Sequence, residues 1–204
     1  MKSDSIAFAV AGLLFGLLAG WVIGSQQAKM GPQVPTAPQT AQAPVASPTG
    51  TAAPPPLDQN QVAALTSLAD RDPKNATPRV QLGNLYFDAE RYEDAIKWYS
   101  EGLKLAPKDA DVSTDLGICY YYTNQPDKAL EQFKTSLAIN PKHAKTLLNV
   151  GIVRAFGKQD LSGAQVAWQQ VVDVAPNSPE AQQAKKALDS IKSAHPNLSG
   201  TPGT

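Results

Sequence analysis

Small, apolar and aromatic positions recur in one order three times along the chain. The first pass reads Leu82-Gly83, Tyr86, Ala95, Tyr99 and Pro107, and the second Leu116-Gly117, Tyr120, Ala129, Phe133 and Pro141. The third reads Val150-Gly151, Arg154, Ala164, Trp168 and Pro176. Gly83, Gly117 and Gly151 stand 34 residues apart, and Pro73, Pro107 and Pro141 keep the same step. A period of this size predicts stacked supersecondary units, none of which buries its apolar stripe alone. Each unit reads as a helical hairpin. Gly83 with Ala95, and Gly117 with Ala129, are small where the two helices of a hairpin must cross closely. Tyr99, Phe133 and Trp168 are large enough to fill the space between neighbouring hairpins. Pro107, Pro141 and Pro176 end each second helix, because proline cannot continue one.

The third unit departs from the first two. Gly151 and Ala164 are separated by 13 residues where the earlier pairs are separated by 12, which places one extra residue in the hairpin turn Gly157–Gly163. Arg154 stands where the others carry tyrosine, an expectation of a partly exposed last seam. Before the first unit, Leu57 to Arg71 reads as the second helix of a degenerate repeat, with Leu65 and Leu68 facing in. After the third, Ser178-Pro179-Glu180 supplies an N-cap and a proline at the first helical position. The capping helix so opened is polar on one side, as the end of a stacked array must be. Eight soluble helices are expected in all.

The N-terminal quarter has a different pattern. Ile6 to Ile23 runs for 18 residues without a charge. As a helix it would reach about 27 Å, against a hydrocarbon core of roughly 30 Å. The expected reading is a retained single-pass anchor over residues 6–24, following a short tail at 1–5. A cleaved secretory signal is the competing reading, although its apolar core is usually about 7–15 residues long. Gly12, Gly16, Gly20 and Gly24 recur every fourth residue on one face. They form either a groove for helix–helix contact, including self-association, or simply the glycine that membrane helices carry. Residues 25–56 form the linker, and Met30–Pro56 holds eight prolines, six alanines and no charge. Such a segment cannot bury a core and is expected to be a disordered, semi-rigid tether. The folded domain then covers 57–194, with repeats at about 76–109, 110–143 and 144–178, the capping helix at 178–194, and a loose tail at 195–204.

Composition narrows the function classes. Eighteen basic and 18 acidic residues give a net charge of zero, so there is no electrostatic case for a nucleic-acid partner. One cysteine and two histidines exclude a thiolate cluster and leave no metal-ligand spacing, so neither metal nor cofactor is expected. Asp88, Glu90, Glu93 and Asp94 read as a solvated face balanced by Arg91 and Lys97. Asp109, Asp111 and Asp115 sit around a helix start, where carboxylates complement the dipole. Cys119 reads as a small buried group. No nucleophile, phosphate-binding or metalloprotease motif is present, so the protein is not expected to be an enzyme.

The repeated order of Leu-Gly, tyrosine, alanine, aromatic and proline resembles the tetratricopeptide repeat (TPR) family over about two thirds of the chain. The resemblance implies an all-α solenoid of three full repeats, with an N-terminal half repeat and a C-terminal capping helix. It also implies that the first helices line a concave groove for an extended peptide or a helix. By register that lining is Val80, Asn84 and Phe87, then Thr114, Ile118, Tyr121 and Tyr122, then Lys145, Leu148, Asn149, Ile152 and Phe156. The alternative reading is that several of these are core, notably Ile118 and Ile152. Family members that grip a C-terminal carboxylate on a chaperone tail do so with two Lys, an Arg and two Asn. The matching positions here are Val80, Asn84, Asp115, Lys145 and Asn149, of which only Asn84 and Lys145 agree. Asp115 would repel such a ligand.

The expectation is therefore a membrane-anchored adaptor or scaffold that captures a segment of a protein partner. Its repeats are placed outside the cytoplasm, in the periplasm, against an inner cell membrane. The arrangement is similar to bacterial envelope TPR proteins of the translocon-associated and cytochrome c maturation types. An assembly chaperone or holdase for translocated or unfolded clients is the alternative.

Overall fold

A computed structural model describes residues 54–195. Within them run eight helices and no strand: α1 (Gln59–Arg71), α2 (Thr77–Asp88), α3 (Tyr92–Leu105), α4 (Ala110–Tyr122), α5 (Pro126–Ile139), α6 (Ala144–Ile152), α7 (Leu161–Val174) and α8 (Pro179–Ala194). The anchor, its glycine face and nearly all of the tether lie outside the described residues. Among those described, no helix is long and apolar enough to cross a membrane.

Local chemistry accounts for the helix ends. Asp58, Asp109, Asp160 and Ser178 each stand at an N-cap and accept from backbone N–H groups of the first turn, Asp160 from Gly163 at 2.8 Å. At the other end, α1, α3, α5 and α7 each stop two residues before Pro73, Pro107, Pro141 or Pro176. The intervening residue is forced out of helical geometry by the proline ring behind it, as at Asp72 with φ −125° and ψ 84°. Arg79 adds a device with no sequence signal of its own. Its guanidinium donates to the Ala69 carbonyl at 3.1 Å and the Asn75 carbonyl at 2.9 Å, tying α2 to the C-terminal end of α1.

The core is built from one contact repeated in each hairpin. A Cβ placed on Gly83 would overlap the Tyr99 ring, one on Gly117 the Phe133 ring, and one on Gly151 the Trp168 indole. The aromatic thus lies flat on the glycine of its own hairpin. Tyr99 also joins a buried cluster with Val112, Leu116 and Cys119 of α4, so the same ring seals the joint to the next hairpin. Trp168 is held further by its indole N–H, which donates to the Leu148 carbonyl at 3.1 Å.

Two expectations are corrected. The extra residue of the third repeat is in the first helix, not in the turn. The left-handed residue that closes each hairpin is Glu90 (φ 55°), Asn124 (φ 58°) and Gln159 (φ 55°), and each precedes its alanine (Ala95, Ala129, Ala164) by the same step. The added residue falls before Gln159, where Val153–Gly157 widens into a π-helical turn and the Lys158 N–H donates to the Val153 carbonyl at 3.0 Å. A helix accommodates one residue by such a bulge, whereas the closing turn has a fixed length. Leu68 does not face in either. It is 50% exposed, while Ala69 makes the buried contact of α1, because no helix among the described residues precedes α1 to cover its other side.

The turn residues allow a simple check. A side chain with a Cβ is disfavoured at positive φ by about 1–2 kcal/mol, and glycine is not. Gln159→Gly is expected to raise stability in chemical denaturation by about 0.5–1 kcal/mol, after the entropy that glycine costs in the unfolded chain. Asn124 already tolerates the geometry and has less to gain.

Candidate functional site

On the first helix of each hairpin, residues four apart share a face. Asn84 and Asp88 do so on α2, Asp111 and Asp115 on α4, and Lys145 and Asn149 on α6. The structure brings α4 and α6 together through these side chains. Lys145 Nζ donates to Asp115 Oδ1 at 2.5 Å, and His143 Nε2 lies 3.1 Å from Asp111 Oδ1. The Tyr99 hydroxyl reaches through from α3 and donates to Asn84 Oδ1 at 2.8 Å, leaving the Asn84 amide N–H groups available.

The register-derived lining divides into surface and core. Asn84 and Tyr122 are exposed, and Lys145, Asn149 and Phe156 are half-buried. Thr114 is fully buried, and Leu148 and Ile152 nearly so, which removes all three from any ligand-accessible surface. Val80 packs over Gly102 of α3, and Phe87 meets Tyr92 edge to face at 5.7 Å. Ile118 and Tyr121 pack against the Ala129, Phe133 and Val153 cluster. Tyr121 is pinned there by the π turn, whose Gly157 sits directly against its ring.

Thr114 has a structural task that its polarity concealed. Its hydroxyl shares hydrogen bonds with Thr146 at 2.6 Å and Ser136 at 2.9 Å, and donates to the Ala110 carbonyl at 2.7 Å. Ser136 and Thr146 are 2.9 Å apart, and His143 Nδ1 is 2.6 Å from Thr146. Hydroxyls from α4, α5 and α6 thus satisfy one another in a buried joint between the second and third hairpins.

The charges were also only partly legible. Arg91 pairs with Asp94 at 2.7 Å, as a solvated face requires, but Asp88 turns toward the shared first-helix face and is half-buried. Burial raises the Asp88 carboxyl above its ordinary range, and the Asp115 carboxylate raises it further. Asp115 itself is raised by burial, partly offset by Lys145, so its role is an ion pair and not a complement to the α4 dipole. Asp109 alone fills the capping role. Burial also pushes the phenols of Tyr92 and Tyr122 up; their rings stack at 4.5 Å with an interplanar angle of 10°. Cys119 is buried, and that burial drives its thiol away from the reactive thiolate. At the third hairpin, Arg154 pairs with Asp160 at 2.6 Å where the first two hairpins set Arg91 over Tyr86 and Lys128 over Tyr120. No group of His, Cys, Asp and Glu among the described residues is arranged to hold a metal ion.

Asp88 and Tyr92 are the surface features that register alone missed. The signal for Asp88 was present, since it lies four residues beyond Asn84 on one helix face. Its raised carboxyl gives a second check. The folded state favours the protonated form, so that stability is present at acid pH and lost as pH rises through the folded value. Asp88→Asn is therefore expected to melt higher than the parent at pH 7. The difference should close as pH falls through the carboxylate range.

The fold and this face define a helical-hairpin repeat protein without a catalytic constellation among the described residues. Residues 81–198 match the family model described as the cilia and flagella-associated protein 70 middle TPR-like domain. That stretch is more than half of the chain, and the protein belongs to this TPR-like family. No curated protein matches the chain. Among solved structures, the first TPR of Spaghetti (RPAP3) bound to the HSP90 peptide SRMEEVD is 26% identical, with a TM-score of 0.54. The match covers 60% of this chain and 94% of that one. MamA is 18% identical with a TM-score of 0.55, covering 65% of this chain and 88% of that one. The Sgt2 TPR domain from Aspergillus fumigatus is 21% identical with a TM-score of 0.53, covering 63% and 87% respectively. The last two likenesses bear on fold alone.

Proposed function

We propose that the protein is an adaptor that holds a polypeptide segment of a partner on the shared face of α2, α4 and α6, and that its N-terminal helix tethers it to a membrane. The observation that carries the binding reading is the split within that face. Thr114, Leu148 and Ile152 are committed to the core, while Asn84, Tyr122, Lys145, Asn149 and Phe156 keep surface beside them. Aromatic and amide groups on a rigid scaffold suit a peptide, which needs both apolar contact and partners for its main chain. The 26%-identical TPR solved with a bound peptide supports the same use. The membrane reading rests on the uncharged run from Ile6 to Ile23 and on the tether that follows. Fully extended as polyproline, the 27 residues from Met30 to Pro56 would reach roughly 80 Å, giving the domain reach near the bilayer. Confinement there raises effective concentration, so a modest affinity suffices. An extracytoplasmic, envelope location of the repeats is part of the proposal.

Photocrosslinkers at Tyr122 and Asn149 of the full chain, in membranes, test the binding. One stoichiometric partner, competed by no unfolded protein, is expected. Equal capture from positions on the outer face of α5 overturns the groove, and broad capture of denatured proteins favours a holdase. Release of the protein by alkaline carbonate overturns the anchor.

A further inference from the structure

Within the first-helix face the charges do not cancel. Lys145 is taken by Asp115, and Asp111 faces His143. Asp88 has no hydrogen bond or ion pair to any described residue, although it is only partly exposed. Phe87 precedes it on α2 and meets Tyr92 edge to face across the turn, and Tyr92 stacks on Tyr122 of α4. The face therefore combines aromatic surface with a carboxylate whose counter-charge the described fold does not supply. A half-buried carboxylate is costly to leave unpaired, and a cation brought to it recovers that cost.

We propose that the occupant of this face is a peptide segment carrying a lysine or arginine among apolar residues, with the basic side chain seated against Asp88. This rests on the reading of the face as a peptide site and specifies its ligand. It also separates this chain from the Spaghetti domain, whose bound peptide SRMEEVD carries three acidic side chains. Here such a tail meets Asp88, Asp111 and Asp115, and Lys145, which would greet it, is already paired. Like charge on both sides is a means of rejecting a partner as well as of selecting one.

The test uses the full chain in detergent and three fluorescent synthetic peptides of identical apolar sequence, differing only at one central residue: Arg, Leu or Glu. The arginine peptide is expected to bind at least about fivefold tighter than the glutamate peptide at low salt, with the gap narrowing as salt rises. Asp88→Asn should bring the three affinities toward parity without lowering the melting temperature, and Asp88→Glu should restore the order. Equal or tighter binding of the glutamate peptide by the parent overturns the cation preference while leaving a peptide site. A preference that survives Asp88→Asn overturns the assignment to Asp88. Should none of the peptides bind, or should Tyr122→Ala leave all binding unchanged, the peptide site on this face fails with it.

Discussion

Trp168→Ala is expected to lower the stability of the repeat domain by about 3–5 kcal/mol, the range for removing a large aromatic from a closed core. Trp168 is 2% exposed, its indole covers Gly151, and its N–H is the hydrogen-bond partner of the Leu148 carbonyl. Truncation opens a cavity between α6 and α7 beside Gly151 and removes the indole donor to that carbonyl. Urea denaturation followed by far-ultraviolet circular dichroism measures the loss. Trp168→Phe fills most of the cavity but cannot donate, so it should recover more than half of the loss. The interfaces of a repeat array act between nearest neighbours, and the damage should therefore appear first as early unfolding of α6 to α8. Hydrogen exchange would locate it. Uniform loss of protection from α1 onward would show instead that the domain behaves as one cooperative unit.

The second large effect decides between two opposing influences at one position. Gly117 lies inside α4, where alanine is ordinarily favoured over glycine by up to about 1 kcal/mol. The position cannot take that gain, because the added Cβ would overlap the ring of Phe133, which is fully buried and has nowhere to move. Overpacking of this kind costs about 1–3 kcal/mol. Gly117→Ala should therefore destabilise despite its better helix propensity. Phe133→Leu alone should destabilise as well, by loss of volume. The two together should cost less than their sum, since a smaller partner makes room for the methyl. Simple additivity would mean that the contact between helix and ring is not what makes glycine necessary.

How much could be read beforehand depended on what kind of force acted at each place. The glycine, aromatic and proline positions carried the fold, because close approach, ring volume and a missing N–H each demand one residue type. The hydroxyl joint of Thr114, Ser136 and Thr146 was invisible, since polar residues at helical spacing look solvated until three elements are seen to meet. The surroundings of Tyr121 were hidden for a related reason. Register set it beside Tyr122 in the lining; the structure adds Gly157 of the widened turn against its ring, and that turn depends on where an inserted residue settles. The chaperone-tail comparison by register was more informative. It singled out Asp115 as repelling a carboxylate ligand and Lys145 as one of the two matches, and the two prove to be bonded to each other.

The placement of that inserted residue has a consequence for how such a chain tolerates change in length. A loop of fixed geometry passes any addition on to everything downstream, rotating later helices off their seats. A coil that swells by one unit absorbs the addition where it arises, and Gln159, Ala164 and Trp168 keep the spacing of their counterparts. Tandem modules can drift in size through such events while their docking surfaces stay in phase. Any search that counts strictly in thirty-fours loses step here, although the molecule itself does not.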